Sequence, residues 1–124
     1  MTTVTPRPDS RTVADQARAR GAYAHVVDGS AHADRTGALD AIAAALSIPD
    51  HFGHNLDTFY DGLTDLSWLP PGEHVLIWIA ADALKQADPK SYLAVHGVLS
   101  DAQRALTPRH GRRESRTLTV VLAD

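Results

Sequence analysis

The chain has no cysteine. Disulfide scaffolds, thiolate zinc sites and cysteine nucleophiles are thereby excluded. No apolar run approaches the roughly 18 residues that a membrane-spanning helix needs. The opening stretch, Met1 to Arg20, holds no apolar core of a signal peptide. A cytoplasmic protein with no membrane partner is the expectation. No glycine-rich phosphate loop is present, and no serine sits in a nucleophile elbow. Basic residues are missing from a long internal block. Between Thr36 and Leu84 there is no Lys or Arg, while the same block holds Asp40, Asp50, Asp57, Asp61, Asp65, Glu73 and Asp82. An acidic surface repels nucleic acid and attracts basic proteins. It also serves solubility alone, and that plainer reading stays open at this point.

What is present fits one α/β domain of 124 residues, long enough to bury a real core. Residues 1–20 carry Pro6, Pro8 and four arginines. They read as a partly flexible N-terminal extension with a short helix over Thr12–Arg20, and residues 21–124 read as the domain. Ala22 to Val27 is a β-prone run ending at the turn signal Asp28-Gly29. Asp34 or Thr36 caps a helix whose Leu39, Ile42, Ala43 and Leu46 recur on one face. Asn55 caps a shorter helix over Leu56–Thr64. Val75 to Ala80 is continuously apolar, the pattern of a central strand covered on both faces. A helical turn over Asp82–Ala87, a longer helix from Lys90 and a last strand over Thr117–Leu122 follow. Strands separated by long helical crossovers pair in parallel. The expected architecture is a three-stranded parallel sheet packed with about four helices.

Chemistry concentrates between Ile48 and Trp68. Asp57, Tyr60, Asp61 and Thr64 fall at i, i+3, i+4 and i+7, so they share one helical face, opposite Leu56, Phe59 and Leu63. Two aspartates four residues apart repel each other and weaken the helix slightly. The helix dipole offsets part of this at Asp57, near the N-terminus. An aromatic set between acids is typical of binding patches. The competing reading is an amphipathic helix whose polar face is merely solvated.

The run IPDHFGHNLDTFYDGL resembles the signature of the barstar family, through Pro49, Phe52, Gly53, Asn55, Leu56, Asp57, Asp61 and Leu63. The resemblance extends over about residues 22–122, where the strand and helix order also fits. It implies a three-stranded parallel sheet with helices, no catalysis and no cofactor. It implies that the chain blocks the basic active site of a microbial ribonuclease with the second helix and the loop before it. Asp61 then stands in for a substrate phosphate, and Asp57 pairs with basic and main-chain donors. His51, Phe52, Gly53, His54, Asn55, Tyr60 and Thr64 complete the surface, with Asp101 contributed by the later helix. Large losses on truncating the aspartate at the position of Asp61 are a known property of the family, so such a loss here is inherited from the resemblance. His51 and His54 stand where the best-known member has an aromatic and an acid, and the N-terminal 20 residues have no counterpart there.

Three rivals remain. A barstar-like immunity or interaction module for another basic partner would use the same face. A small metal-dependent enzyme would use His51, His54 and Asp57, a spacing that matches no strong metal motif. The basic run from Arg109 to Arg116 is short, has no aromatic interleaving and contains Glu114, so it reads as a solvated loop and not a nucleic-acid site. Trp78 reads as core. For Trp68, packing and partner contact weigh equally. His25, His32, His74, His96 and His110 read as scattered structural or exposed residues. The free protein is expected to be a monomer.

Overall fold

The structure, a computed structural model, describes residues 9–31, 34–49, 55–106 and 116–123. The elements in chain order are α1 (Ser10–Ala19), β1 (Tyr23–Asp28), a single 3-10 turn (Gly29–Ala31), α2 (Arg35–Ala45), α3 (Leu56–Asp65), β2 (Gly72–Ile79), α4 (Asp82–Ala87), α5 (Pro89–Ala105) and β3 (Arg116–Ala123). The three strands form one sheet in the order β1-β2-β3, parallel throughout. Tyr23 lies opposite His74, and Gly72 opposite Arg116. The expected sheet is therefore present, with β2 at its centre and, among the described residues, five α-helices around it. The helix caps are those the sequence offers. Asp9, Asp34, Asn55 and Asp88 each accept a bond from a backbone N–H of the first turn. Between the two candidates for α2, the cap is Asp34. The long helix begins one residue earlier than Lys90, because Pro89 sits at its first position, where its missing N–H is harmless.

Strand alternation divides the core in two. Leu76 and Trp78 of β2, Val27 of β1 and Leu118 of β3 point to one face. There they meet Leu39 and Ile42 of α2 and its C-cap Leu46, Phe59 and Leu63 of α3, and Tyr92, Val95 and Leu99 of α5. Trp78 is fully buried, as expected, and stacks on Tyr92 with ring centroids 5.8 Å apart. Gly29 passes so close that a Cβ would lie 2.6 Å from Trp78 Nε1 and 2.8 Å from the Ile79 carbonyl oxygen, so only glycine fits there.

Val75, Ile77 and Ala123 point to the other face, beneath α1, whose Ala14 and Ala17 are buried against them. Ser10 to Ala19, within the stretch read as an extension, is thus a helix seated on the sheet. Its C-terminal neighbour Arg20 makes two 2.9 Å bonds to the carboxylate of Glu73, and Thr119 Oγ1 donates to the same carboxylate at 3.0 Å.

Candidate partner-binding surface

The acidic helix is built from a cap and a stripe. The Asn55 side chain accepts from Thr58 N at 2.9 Å. Phe59, Gly62 and Leu63 face inward. The mid-helix glycine therefore belongs to the packed side. Asp57, Asp61 and Asp65 are exposed, with Tyr60 and Thr64 half-buried beside them. Thr64 Oγ1 donates to the Tyr60 carbonyl at 2.9 Å, so its hydroxyl is tied to the helix. The outward face of α3 thus carries Asp57, Tyr60, Asp61 and Thr64 together, as their spacing requires. A cleft at the start of α3 is lined by Asn55, Leu56 and Asp57 together with Arg35 of α2.

Side chains reach the backbone carbonyls of the chain segments on either side of α3. Where α2 ends, Ser47 takes a left-handed conformation at φ 55, its N–H donating to Ala44 O and the next N–H, of Ile48, to Ala43 O. That is a Schellman ending without the usual glycine. Trp68 Nε1 donates to the Leu46 carbonyl at 3.0 Å, and His25 Nδ1 lies 3.2 Å from the Ala45 carbonyl. In the connection from α3 to β2, Arg116 Nε donates to the Leu69 carbonyl at 2.7 Å, and His74 Nε2 lies 2.8 Å from the Pro70 carbonyl. Two adjacent carbonyls before α3 and two adjacent carbonyls after it are each met by a side chain. Trp68, weighed equally between packing and contact, has a structural bond here.

Asp101 lies exposed on α5 and pairs with Arg104 one turn later. His51, Phe52, Gly53 and His54 lie outside the described residues. So do His51 and His54 as ligands of the metal reading. Among the described residues, no group of three His, Asp or Glu side chains is placed to hold a metal ion. No helix among them is long and apolar enough to cross a membrane.

Sequence reasoning missed His25, His74 and Arg116 as residues that hold this surface. His74 is completely buried, its Nδ1 2.9 Å from His25 Nε2. Only the strand register brings the two rings together, and no local pattern signals it. Burial of the His25 ring holds its pKa below the ordinary histidine value. The neighbouring His74 acts in the same direction, and the Ala45 carbonyl works against both.

A family model described as Barstar (barnase inhibitor) matches residues 22–123. The chain belongs to the barstar family. The match covers everything from the start of β1 to the end of β3 and leaves α1 outside it. No curated protein matches the chain. The barstar family is one of inhibitors, and its fold is the parallel three-stranded arrangement described above.

Proposed function

We propose that this chain binds a basic microbial ribonuclease through α3 and the preceding loop and blocks its active site, without catalysing any reaction. A ribonuclease gathers lysine, arginine and histidine to hold phosphates and stabilise developing charge. A rigid helix that presents carboxylates is the complement of such a site. The observation that carries the reading is the joint exposure of Asp57 and Asp61 on one face of α3, beside Tyr60 and Thr64. This face lies in the one long block of the chain without Lys or Arg. Asp61 is the proposed phosphate mimic, and Asp57 supports it from the first turn. His51, Phe52, Gly53, His54 and Asn55 form the proposed rim, and Asp101 adds a further contact once a basic group competes with Arg104.

Carboxylate–arginine pairs formed at an interface are directional and strong when bidentate. Truncating one partner leaves the other charge buried and unpaired. The acidic face also speeds encounter with a basic partner, so the association rate falls as salt rises. We take the chain to act in the cytoplasm, and to be monomeric when free.

The test is inhibition of a guanyl-specific bacterial ribonuclease at increasing molar ratio, with Asp61→Ala in parallel. Inhibition that saturates near one to one, and is lost in the variant, supports the reading. No inhibition by the parent chain removes this ribonuclease class and moves the same face to another basic protein, as an immunity module would use it.

A further inference from the structure

Three polar contacts follow one another on the sheet face that lies under α2, α3 and α5. His74 Nε2 is 2.8 Å from the Pro70 carbonyl oxygen. His74 Nδ1 is 2.9 Å from His25 Nε2. His25 Nδ1 is 3.2 Å from the Ala45 carbonyl oxygen. Both ends of this line are carbonyls, which only accept. Two neutral imidazoles carry two N–H groups between them, and three contacts need three. A neutral pair therefore leaves one contact without a proton.

Burial selects which contact that is. His74 has no solvent exposure, so an unmet nitrogen there has no water to turn to. The longest contact is the one to Ala45, and His25 is only half-buried. In the neutral pair His74 Nε2–H donates to Pro70, His25 Nε2–H donates to His74 Nδ1, and His25 Nδ1 faces Ala45 bare. A third proton goes to His25 Nδ1 and completes the chain.

The two carbonyls have a particular place in the molecule. Ala45 closes α2, just before the segment that leads to α3, and Pro70 lies in the connection that leaves α3. We propose that His25 and His74 are positioning residues for the α3 face, forming a two-ring relay between its two flanking segments whose contact to α2 is made by one proton on His25 Nδ1. The consequence for partner binding rests on the inhibitor reading above, and the relay itself does not.

Burial of His25 sets the direction of the pH effect, with His74 acting the same way, and three further groups face the pair. Tyr23 of β1 stacks on His74 with centroids 5.0 Å apart. Arg116 of β3 brings a cation to the Leu69 carbonyl, next to Pro70. From α2 the relay meets the Ala45 carbonyl. A charged ring is costly in a partly buried place, so His25 takes its proton below the ordinary histidine range. The unfolded chain, with an ordinary value near 6.5, takes up that proton first as the pH falls. The stability contributed by neutral His25 is therefore complete above that value and declines below it.

The first arm is nitrogen-detected NMR of the imidazole rings in the free, full-length chain. At pH near 7.5 both rings are expected with Nε2 protonated and Nδ1 bare. On acidification His25 gains Nδ1–H at a midpoint below that of free histidine, and the backbone resonances of Ala45 and Leu46 shift with the same midpoint. Nδ1–H on His25 at neutral pH, or a His25 titration with no response at Ala45, overturns the relay. The second arm compares His25→Gln with the parent chain, using one ribonuclease for both so that its own titration cancels. The ratio of their Kd values is expected to change by at least about fivefold between pH 7 and pH 5. A constant ratio overturns the positioning role. Failure of the parent chain to bind any ribonuclease sinks the inhibitor reading, and the first arm still decides the relay.

Discussion

The two faces of the sheet are covered by different means. One lies under α2, α3 and α5 and is packed with Leu, Ile, Phe, Trp and Tyr. The other, among the described residues, lies under α1 and is packed through two alanines of that helix, with Arg20 clamped to Glu73 beside them. The first face seats the acidic helix and lies wholly within the barstar match. The second uses an element that precedes the match. Large side chains bury more apolar area and leave larger voids when cut back. Alanine against a sheet gives close approach with little area. The first face sets the geometry of the acidic helix, and the second is only covered.

Breaking the packed face has the largest expected effect. Leu63→Ala, at a fully buried position of α3, is expected to cost about 2–5 kcal/mol of stability by urea unfolding. It also loosens the acidic helix itself, so inhibition falls with it. Breaking the covered face is expected to cost less. Ala17→Asp places an unpaired charge under α1, and the chain escapes most of the penalty by releasing the helix. The expected loss is about 1–3 kcal/mol, with inhibition unchanged. Loss of inhibition in this variant would mean that the two faces are not separable.

The clamp beside α1 is smaller still. Arg20→Ala is expected to lower stability only slightly at neutral pH, because half of the Arg20 side chain is exposed and solvent screens the pair. The Arg20 bond holds the Glu73 carboxyl below the usual carboxylate range, against an opposing effect of burial, with Thr119 helping. A depressed folded-state value stabilises the fold above the ordinary glutamate pKa. The contribution fades as the pH falls through the folded value, and unfolding midpoints from pH 7 to pH 3 check it. The smallest change sharpens the contrast between two helix ends. α1 ends in a Schellman turn with Gly21 at φ 85, and α2 ends in the same turn with Ser47 at φ 55. Ser47→Gly relieves the left-handed serine and is expected to raise stability by about 0.5 kcal/mol, measured as the urea midpoint.

Much of this architecture was legible in the sequence, for local reasons. The caps Asp34 and Asn55 announce their helices, and the apolar run over Val75–Ala80 announces the buried central strand. The side-by-side placement of Asp57, Tyr60, Asp61 and Thr64 follows from helical periodicity alone. What was not legible depends on register between distant strands. His25 and His74 meet because Tyr23 lies opposite His74, and 49 residues separate the two histidines. Arg116 read as the end of a basic loop, and its bond to Leu69 exists only because β3 pairs with β2 from Gly72 onward. Seating α1 on the sheet depends on Ala14 and Ala17, whose small side chains give a weak periodic signal.

The central claim is that one face of α3 carries the binding energy. The most direct measurement is the Kd for one basic ribonuclease with two variants that remove the same charge from opposite sides of the sheet, Asp61→Ala on α3 and Asp15→Ala on α1. Both aspartates are exposed. Asp61→Ala is expected to weaken binding by at least about 2 kcal/mol, roughly thirtyfold, and Asp15→Ala by less than about 0.5 kcal/mol. Equal small losses at both positions would contradict the account and leave the acidic helix a solvated face.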